Sequence, residues 1–345
     1  MITGSFTALI TPFTKKNEVD YDGLEKLVNF QIQNGISGIL AVGTTGESPT
    51  LVWEEHNTVV QKVAEMTKNK CLCIAGTGSN NTAEALMATS HALHAGVDAV
   101  LLVDPYYNGP SSLEIRKEYI EPVAKAFPSL DIIPYVIPGR TGTQLLPEDL
   151  AILTQTHKNV RTVKEATGNL TNMKQTKKCC GPDFSIISGD DGLTFVMMTD
   201  PEIQCTGVIS VVSNIAPKAV SELVRFLSAG EYETAKKIHT ALEPLFELIT
   251  VKTTESTLHG KVECRARNPL ATKTLMSIMG MPSGRCRQPL GKMTKNGIQK
   301  VVRAARKIQA DNPEIFQPAA EFFNIDIDAR LNSDSCLEGL YYTEY

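Results

Sequence analysis

The chain has 345 residues, of which 42% are hydrophobic and 21% charged, and 34 basic against 38 acidic side chains give a formal net charge of -4. This composition is that of a globular protein with a large core, and the absence of a basic face argues against a nucleic-acid-binding or membrane-surface protein. No apolar run approaches the roughly 18 residues of a membrane span, and the N-terminus lacks a basic region followed by a long apolar one. We therefore expect a cytoplasmic protein.

Eight short apolar runs, separated by helix-like segments, predict a parallel sheet. The runs lie at 6–10, 37–42, 71–76, 99–103, 131–137, 160–164, 184–188 and 207–212. Leu24, Leu27 and Val28 show the helical spacing of the segments between them. Continuous apolar strands that alternate with helices are typical of a parallel sheet whose outer face is covered by helices. An open doubly wound sheet would show the same alternation.

The carboxyl ends of the strands favour a closed barrel over an open sheet. Polar or glycine-rich clusters follow nearly every strand: TPF, GTTGES, GTGSNN, DPYYN, PGRT, KEATG, GDDG and SN. In a (β/α)₈ barrel, the loops at this face build the active site. We predict an α/β fold with a (β/α)₈ TIM barrel over residues 1–240, a C-terminal helical extension over 241–310 and an extra segment over 311–345. We predict no strand after residue 212, and we expect the apolar last segment to pack on the body or on a neighbouring subunit.

The eight cysteines predict neither a disulfide framework nor a metal site, because they are scattered and none forms a CxxC pair. Cys71 and Cys73 lie in an apolar strand, where they are expected to pack as small hydrophobic residues. His91 and His94 lie one helical turn apart, but no neighbouring carboxylate or thiol completes a ligand set. We expect no metal and no cofactor.

Lys164 ends the sixth strand and is the candidate nucleophile. Alternation puts Thr162 and Lys164 on one face of the strand and Val163 and Glu165 on the other. A lysine that points into the barrel is desolvated, which lowers its pKa and exposes a free amine that can attack a carbonyl carbon. The alternative is a lysine that only pairs with an acid at the barrel mouth.

Two further loops carry groups that bind anions or move protons. In GTTGES, glycines free the backbone N–H groups, and Thr44 and Thr45 supply hydroxyls for a carboxylate or a phosphate. Tyr135 on the fifth strand is placed to transfer protons beside the lysine, and Arg140 after it can hold a carboxylate with two hydrogen bonds. Each also has a structural interpretation, since such a tyrosine often only packs and such an arginine is often only solvated.

In order and spacing, the motifs of this chain resemble the pyruvate-dependent lyase/aldolase family of dihydrodipicolinate synthase and N-acetylneuraminate lyase. The resemblance covers about residues 1–300 and rests on GTTGES, DPYYN, YVIPGRT, VKEATG, SGDD, GVISVVSN and NPLATK. It implies that a lysine condenses with pyruvate, that the resulting Schiff base becomes an enamine, and that the enamine attacks an aldehyde.

The resemblance also assigns roles to residues. Lys164 would form the imine, Tyr135 would transfer protons, and Thr45 would link Tyr135 to Tyr107 of the adjacent subunit, so that the site requires a dimer. The assembly implied is a homotetramer built as a dimer of dimers. The implied substrate-binding positions are Thr44, Thr45, Arg140, Gly189 and Ile209.

Arg140 favours the synthase branch of the family, where this arginine receives the carboxylate of aspartate semialdehyde in the first committed step of diaminopimelate and lysine synthesis. The alternative is an aldolase for 2-keto-3-deoxy sugar acids or sialic acid, with the same imine chemistry. A ligand-sensing barrel without turnover and a metal-dependent aldolase are weaker alternatives. Val136 stands where the family commonly has asparagine. Alternation turns Val136 away from Tyr135, so we expect it to alter packing more than chemistry.

The same resemblance implies a second site, a pocket at a subunit interface where lysine acts as a feedback inhibitor. The matching positions are Ser48, Trp53, His56, Asn80, Glu84 and Tyr106. Glu84 would bind the ammonium group of the ligand, and Trp53 would pack on its aliphatic stem. The alternative is that Trp53 and His56 only support a contact between subunits.

Overall fold

The computed structural model describes residues 2–345, in which eight parallel strands form a closed barrel. Each strand pairs with the next along the chain, and β8 pairs with β1. Their ends lie within two residues of the predicted ones, so the (β/α)₈ barrel prediction is confirmed. The strands are β1 Gly4–Ala8, β2 Gly38–Ala41, β3 Leu72–Gly76, β4 Ala99–Val103, β5 Asp131–Val136, β6 Thr162–Glu165, β7 Ser185–Ser188 and β8 Gly207–Ser210.

Helices cover the outside of the barrel and form the extension. Those within the barrel are α1 Tyr21–Gln33, α2 Trp53–Thr67, α3 Thr82–Ala95, α4 Ser112–Glu114, α5 Glu121–Ala126, α6 Pro138–Thr141, α7 Pro147–Thr156, α8 Leu170–Cys180, α9 Thr194–Thr199 and α10 Pro217–Ser228. Those that follow are α11 Tyr232–Phe246, α12 Leu270–Met279, α13 Lys295–Asp311, α14 Gln317–Phe323 and α15 Ile327–Leu331. None of the helices in the described residues is long and apolar enough to cross a membrane.

Two apolar layers result from the alternation of side chains along each strand. Tyr135 belongs to the inner layer, which fills the barrel, whereas Val136 belongs to the outer layer between strands and helices. The prediction that Val136 faces away from Tyr135 is therefore confirmed. The inner layer consists of Ile2, Phe6, Ala8, Leu40, Ile74, Ala99, Leu101, Ile133, Tyr135, Ile187 and Ile209.

An antiparallel hairpin, β9 Thr250–Thr257 and β10 Gly260–Arg267, lies between α11 and α12. The expectation that no strand follows residue 212 is wrong for these residues. The sequence forms strands here because buried and exposed residues alternate with a period of two. Val251 and Thr253 are buried, whereas Lys252 between them is exposed. Charged residues on the exposed face hide this signal from a search for continuous apolar runs.

The segment after α13 packs on the body of the chain. Phe316 is fully buried, and the rings of Phe322 and Phe323 lie 5.3 and 5.1 Å from that of Phe30 in α1. Nε of Arg330 donates a hydrogen bond of 2.7 Å to the carbonyl of Ile278 at the end of α12. All eight cysteines are free thiols.

Candidate active site

Lys164 points into the barrel from β6. In the sheet register it pairs with Tyr135 of β5 and Ile187 of β7, which both belong to the inner layer. The residue is 5% exposed, and its Nζ lies 4.2 Å from the centroid of the Tyr135 ring. Among the described residues, no carboxylate lies within ion-pair distance of Nζ. Lys164 is therefore a buried amine without the acidic partner that a structural lysine would have.

Burial lowers the pKa of Lys164 to about 7 because the ammonium form loses its hydration. The Asp191 carboxylate opposes this effect by stabilising the ammonium, and the Arg140 guanidinium adds to it by repulsion. Near neutral pH a large fraction of the side chain is consequently a free amine, which is the form that attacks a carbonyl carbon.

Asp191 is a site residue to which the sequence analysis assigned no role. Its carboxylate accepts hydrogen bonds from the Ser210 hydroxyl and, at 2.9 Å, from the backbone N–H of Val211. Burial raises the pKa of Asp191 to about 6, against the opposing effect of these hydrogen bonds. The signal in the sequence was its position in SGDD, just after the end of β7, on the face where the loops of a barrel build the active site.

Tyr135 is an acid that stays protonated at neutral pH. Burial raises its pKa to about 12, while the Arg140 charge and the nearby Thr44 hydroxyl act in the opposite direction. A protonated phenol close to the lysine amine can donate a proton to a group that develops on a substrate there.

Thr45 lies beside a residue that the sequence analysis did not single out. Its Oγ1 accepts a 2.9 Å hydrogen bond from Nδ2 of Asn268, whose carbonyl accepts a 3.1 Å hydrogen bond from Nη2 of Arg140. Asn268 therefore connects the GTTGES loop to Arg140. Thr44, rather than Thr45, is the threonine whose hydroxyl lowers the pKa of Tyr135.

A cavity of about 340 Å³ opens above Lys164 and is also lined by Thr44, Thr45, Tyr135, Arg140, Gly189 and Asp190. Gly189 lies against the lysine, since a Cβ built on it would come within 3.0 Å of the Lys164 Cε. Any side chain at residue 189 would press on the amine. Ile209 is buried in the inner layer and does not line this cavity.

Tyr107 is 92% exposed and has a left-handed backbone with φ of 79°. It lines neither the cavity of Lys164 nor the smaller one beside it. Within one chain, Tyr107 is not part of the site.

A smaller cavity of about 220 Å³ connects this site with part of the second predicted site. Ser48 and Tyr106 line it together with Thr44, Tyr135 and Arg140. Thr44, Tyr135 and Arg140 line both cavities, so these side chains lie between the two sites.

The other members of the second predicted site lie nearby in two groups. Asn80 Oδ1 accepts a 2.8 Å hydrogen bond from the N–H of Tyr106, and burial followed by the charge of Glu84 raises the pKa of the Tyr106 phenol. Trp53 and His56 lie in the first turn of α2, with ring centroids 5.0 Å apart. The His56 Nε2 lies 2.9 Å from the Gly76 carbonyl, so His56 is bound within its own chain.

Two motif residues form a buried ion pair that holds the GTTGES loop. Nζ of Lys273 lies 2.5 Å from Oε1 of Glu47, and both side chains are almost fully buried. Glu47 also accepts a 2.9 Å hydrogen bond from the N–H of Arg287. The pair joins the loop that carries Thr44 and Thr45 to α12 of the extension.

Residues 1–308 match the model of the dihydrodipicolinate synthetase family. The chain belongs to this family. Among its relatives in the family is the 4-hydroxy-tetrahydrodipicolinate synthase of Methanococcus maripaludis, which is 40% identical over 305 residues, 88% of this chain and 98% of the relative.

Solved structures of the family share this fold. The 4-hydroxy-tetrahydrodipicolinate synthase of Methylacidiphilum fumariolicum SolV superposes with a TM-score of 0.83 at 35% identity, over 92% of this chain and 99% of that one. The dihydrodipicolinate synthase of Cyanidioschyzon merolae, solved with lysine bound, gives a TM-score of 0.80 at 33% identity, over 89% and 98%. The chain is thus a family member along nearly the whole length of these proteins.

The described residues of this family member hold no group of three or more His, Cys, Asp or Glu side chains arranged to bind a metal ion. His91 and His94, considered above as ligands, instead bond to carbonyls through their ring nitrogens. The Nε2 of His91 lies 3.0 Å from the Asn57 oxygen, and the Nδ1 of His94 lies 2.6 Å from the Ser90 oxygen.

Proposed function

We propose that the chain is a 4-hydroxy-tetrahydrodipicolinate synthase, a lyase that condenses pyruvate with L-aspartate 4-semialdehyde in diaminopimelate and lysine synthesis. The observation that carries this proposal is the buried Lys164 amine, with a pKa near 7, against the protonated Tyr135 phenol in a cavity lined by anion-binding groups. Relatives that bear this name match 88% of the chain and support it.

The Lys164 amine attacks the carbonyl carbon of pyruvate, and loss of water leaves an imine between the two. Loss of a proton from the methyl carbon gives an enamine, whose carbon then attacks the aldehyde of the second substrate. Tyr135 donates the proton that the leaving hydroxyl needs, and Thr44 lies where its hydroxyl can orient that phenol. The imine nitrogen accepts the electron pair that the reaction moves, so pyruvate bound to lysine replaces an external cofactor.

Arg140 separates the synthase from the sugar-acid aldolase. Its guanidinium lines the same cavity as Lys164 and can take the carboxylate of the semialdehyde. A sugar-acid substrate would present hydroxyl groups there instead. We therefore expect Arg140→Ala to damage the reaction with the semialdehyde and to leave imine formation with pyruvate intact.

Borohydride reduction in the presence of pyruvate tests the imine. We expect a reduced pyruvyl group on the peptide that contains Lys164, detected by mass, and no label on Lys164→Ala. Lys174→Ala is the matched control, because Lys174 is paired with Asp200 on the outside of the barrel and should leave the labelling of Lys164 unchanged. A pyruvate-treated protein without label at Lys164 would contradict the proposal.

A direct assay then compares aspartate semialdehyde with 2-keto-3-deoxy sugar acids and sialic acid. We expect turnover only with pyruvate plus the semialdehyde. Turnover of the sugar acids alone would establish the alternative aldolase. Labelling without turnover of any substrate would establish the ligand-sensing barrel.

We also propose that lysine inhibits the enzyme at the site formed by Ser48, Trp53, His56, Asn80, Glu84 and Tyr106. The Glu84 carboxylate near Tyr106, and the cavity that leads from Tyr106 to Tyr135, support this proposal. The assay is repeated with and without lysine. Lysine should inhibit the wild type and lose its effect on Glu84→Gln, while equal inhibition of both would contradict the site.

The assembly we propose is a cytoplasmic homotetramer, a dimer of dimers in which Tyr107 completes the site of the adjacent subunit. Its support is the exposure of Tyr107 in the single chain. Sedimentation of the purified protein tests the assembly, and a monomer with full activity would contradict it.

A further inference from the structure

The hairpin adds positive charge to the mouth of the active site. Lys252 of β9 and Arg265 and Arg267 of β10 line the same cavity as Lys164 and Arg140. Asp190 is the acidic residue among those that line it. Four cationic side chains and the Lys164 amine thus surround a space lined by one carboxylate.

These hairpin cations are not explained by the stability of the hairpin. Lys252 lies directly opposite Arg265 in the β9–β10 register. Like charges at opposed positions of an antiparallel pair destabilise it. Among the described residues, no carboxylate lies within ion-pair distance of either residue, or of Arg267.

The hairpin is oriented so that these cations face the cleft. Its other face carries Val251 and Thr253, which are buried against the body of the protein. Nη1 of Arg267 donates a 3.1 Å hydrogen bond to the carbonyl of Gly139, the residue before Arg140. This bond fixes the carboxyl end of β10 beside the loop that carries Arg140.

The three arginines surround one space. Desolvation in the cleft is the main cause that lowers the pKa of Arg140, and the charges of Arg267 and Arg265 lower it further, against the opposing effect of Tyr135. Arginines that repel one another and have no acidic partner are stabilised when an anion lies between them.

We propose that Lys252, Arg265 and Arg267 form an anion subsite that, together with Arg140, binds the carboxylate of the aldehyde substrate. This inference rests on the proposed function. Pyruvate binds deeper, at Lys164 and the GTTGES loop, whereas the second substrate enters above it and meets the hairpin. The hairpin cations are therefore residues that determine specificity for an aldehyde that bears a carboxylate over one that lacks it.

The test uses Lys252→Gln, Arg265→Gln and the double variant in the full chain. Each hydrogen bond to a charged ligand contributes to the binding affinity. We therefore expect the double variant to raise the KM for aspartate semialdehyde about tenfold or more. The KM for pyruvate and the borohydride labelling of Lys164 should change less than about twofold. Arg265→Lys, which keeps the charge, should retain most of the affinity for the semialdehyde.

Lys261→Gln is the matched control, because Lys261 lies exposed on the same strand and does not line the cavity. It should leave both KM values unchanged, and circular dichroism should show every variant folded. A labelled and active double variant with an unchanged KM for the semialdehyde, or with an equal rise in the KM for pyruvate, would overturn the subsite alone. A wild type without label on Lys164 would overturn both this inference and the proposed function.

Discussion

Lys164 and Asp191 set the acid–base behaviour of the site at the scale of single residues. Within residues 2–345 Lys164 has no ion-pair partner, yet the buried Asp191 carboxylate still raises its pKa against the larger effect of burial. Because the pKa of Asp191 is about 6, this carboxylate is ionised over most of the range in which the lysine loses its proton. The protonation of the amine therefore depends on a residue that does not line the cavity.

The substitution Asp191→Asn should shift the pH dependence of imine formation. Removal of the carboxylate destabilises the ammonium of Lys164, so the pKa of Lys164 falls further from its usual value. The rate of borohydride labelling rises with pH as the amine loses its proton, and we expect this rise to move to lower pH by about one pH unit. Asp183→Asn, at an exposed position two residues before β7, should leave the profile in place. If the rise of the labelling rate in Asp191→Asn occurs at the same pH as in the wild type, or at a higher pH, this account is contradicted.

The sequence predicted the inward position of Lys164 better than the surroundings of that residue. Alternation along one strand was enough to turn Lys164 inward, because the period of a strand is fixed by the backbone. Asp191 and Asn268 could not be assigned in the same way. Their roles depend on contacts with Ser210, Thr45 and Arg140, which lie far away in the chain and meet only in the folded barrel.

At the scale of elements, the Glu47–Lys273 pair joins the loop after β2 to α12. Lys273 also donates a 3.0 Å hydrogen bond to the Thr11 carbonyl, so one ammonium holds two loops of the barrel mouth. Burial lowers the pKa of Lys273, and the Glu47 carboxylate opposes that effect. The extension thereby helps to hold the GTTGES loop in place.

Removing one charge of this pair should lower the free energy of unfolding more than removing both charges. Lys273→Met leaves the Glu47 carboxylate buried without its partner, and we expect a loss of about 3–5 kcal/mol in the free energy of unfolding. The double variant Glu47→Gln/Lys273→Met removes the uncompensated charge and should recover a large part of that loss. Urea unfolding of the wild type, both single variants and the double variant measures the coupling. Additive losses would show that the two side chains do not act as a pair.

The barrel strands were easier to predict from the sequence than the hairpin strands. The eight barrel strands are buried on both faces, so most of them lie in apolar runs, although β6 also carries Lys164 and Glu165. The hairpin has one exposed face, and its sequence alternates valine and threonine with charged residues. A search for apolar runs passes over such strands, although their period of two was present in the chain.

At the scale of the whole molecule, the proposed role of Tyr107 predicts that two inactive variants can restore activity in a mixed dimer. If it completes the site of its neighbour, Tyr107→Phe and Lys164→Ala should each be nearly inactive alone. A mixed dimer would contain one site with both an intact Lys164 and the Tyr107 of its partner. Mixing equal amounts after dissociation and reassembly should restore about a quarter of the wild-type activity, since half of the dimers are mixed and each has one complete site.

The coupled assay before and after reassembly measures this recovery, and each variant reassembled with itself is the control. No recovery, with mixed dimers demonstrated by mass, would contradict a site shared between subunits. The sequence implied this sharing only through the family resemblance, because a single chain holds no information about the position of its neighbour.

The barrel and the hairpin differ in how they present backbone hydrogen-bonding groups to other molecules. In the barrel every strand has two neighbours, whereas β9 and β10 each pair on one side only. An unpaired strand edge can add a strand from another chain and begin aggregation, and lysine or arginine side chains on the edge suppress this. We therefore expect Lys252, Lys261 and Arg265 also to oppose association at these edges, and neutral variants at these positions should be handled at low protein concentration.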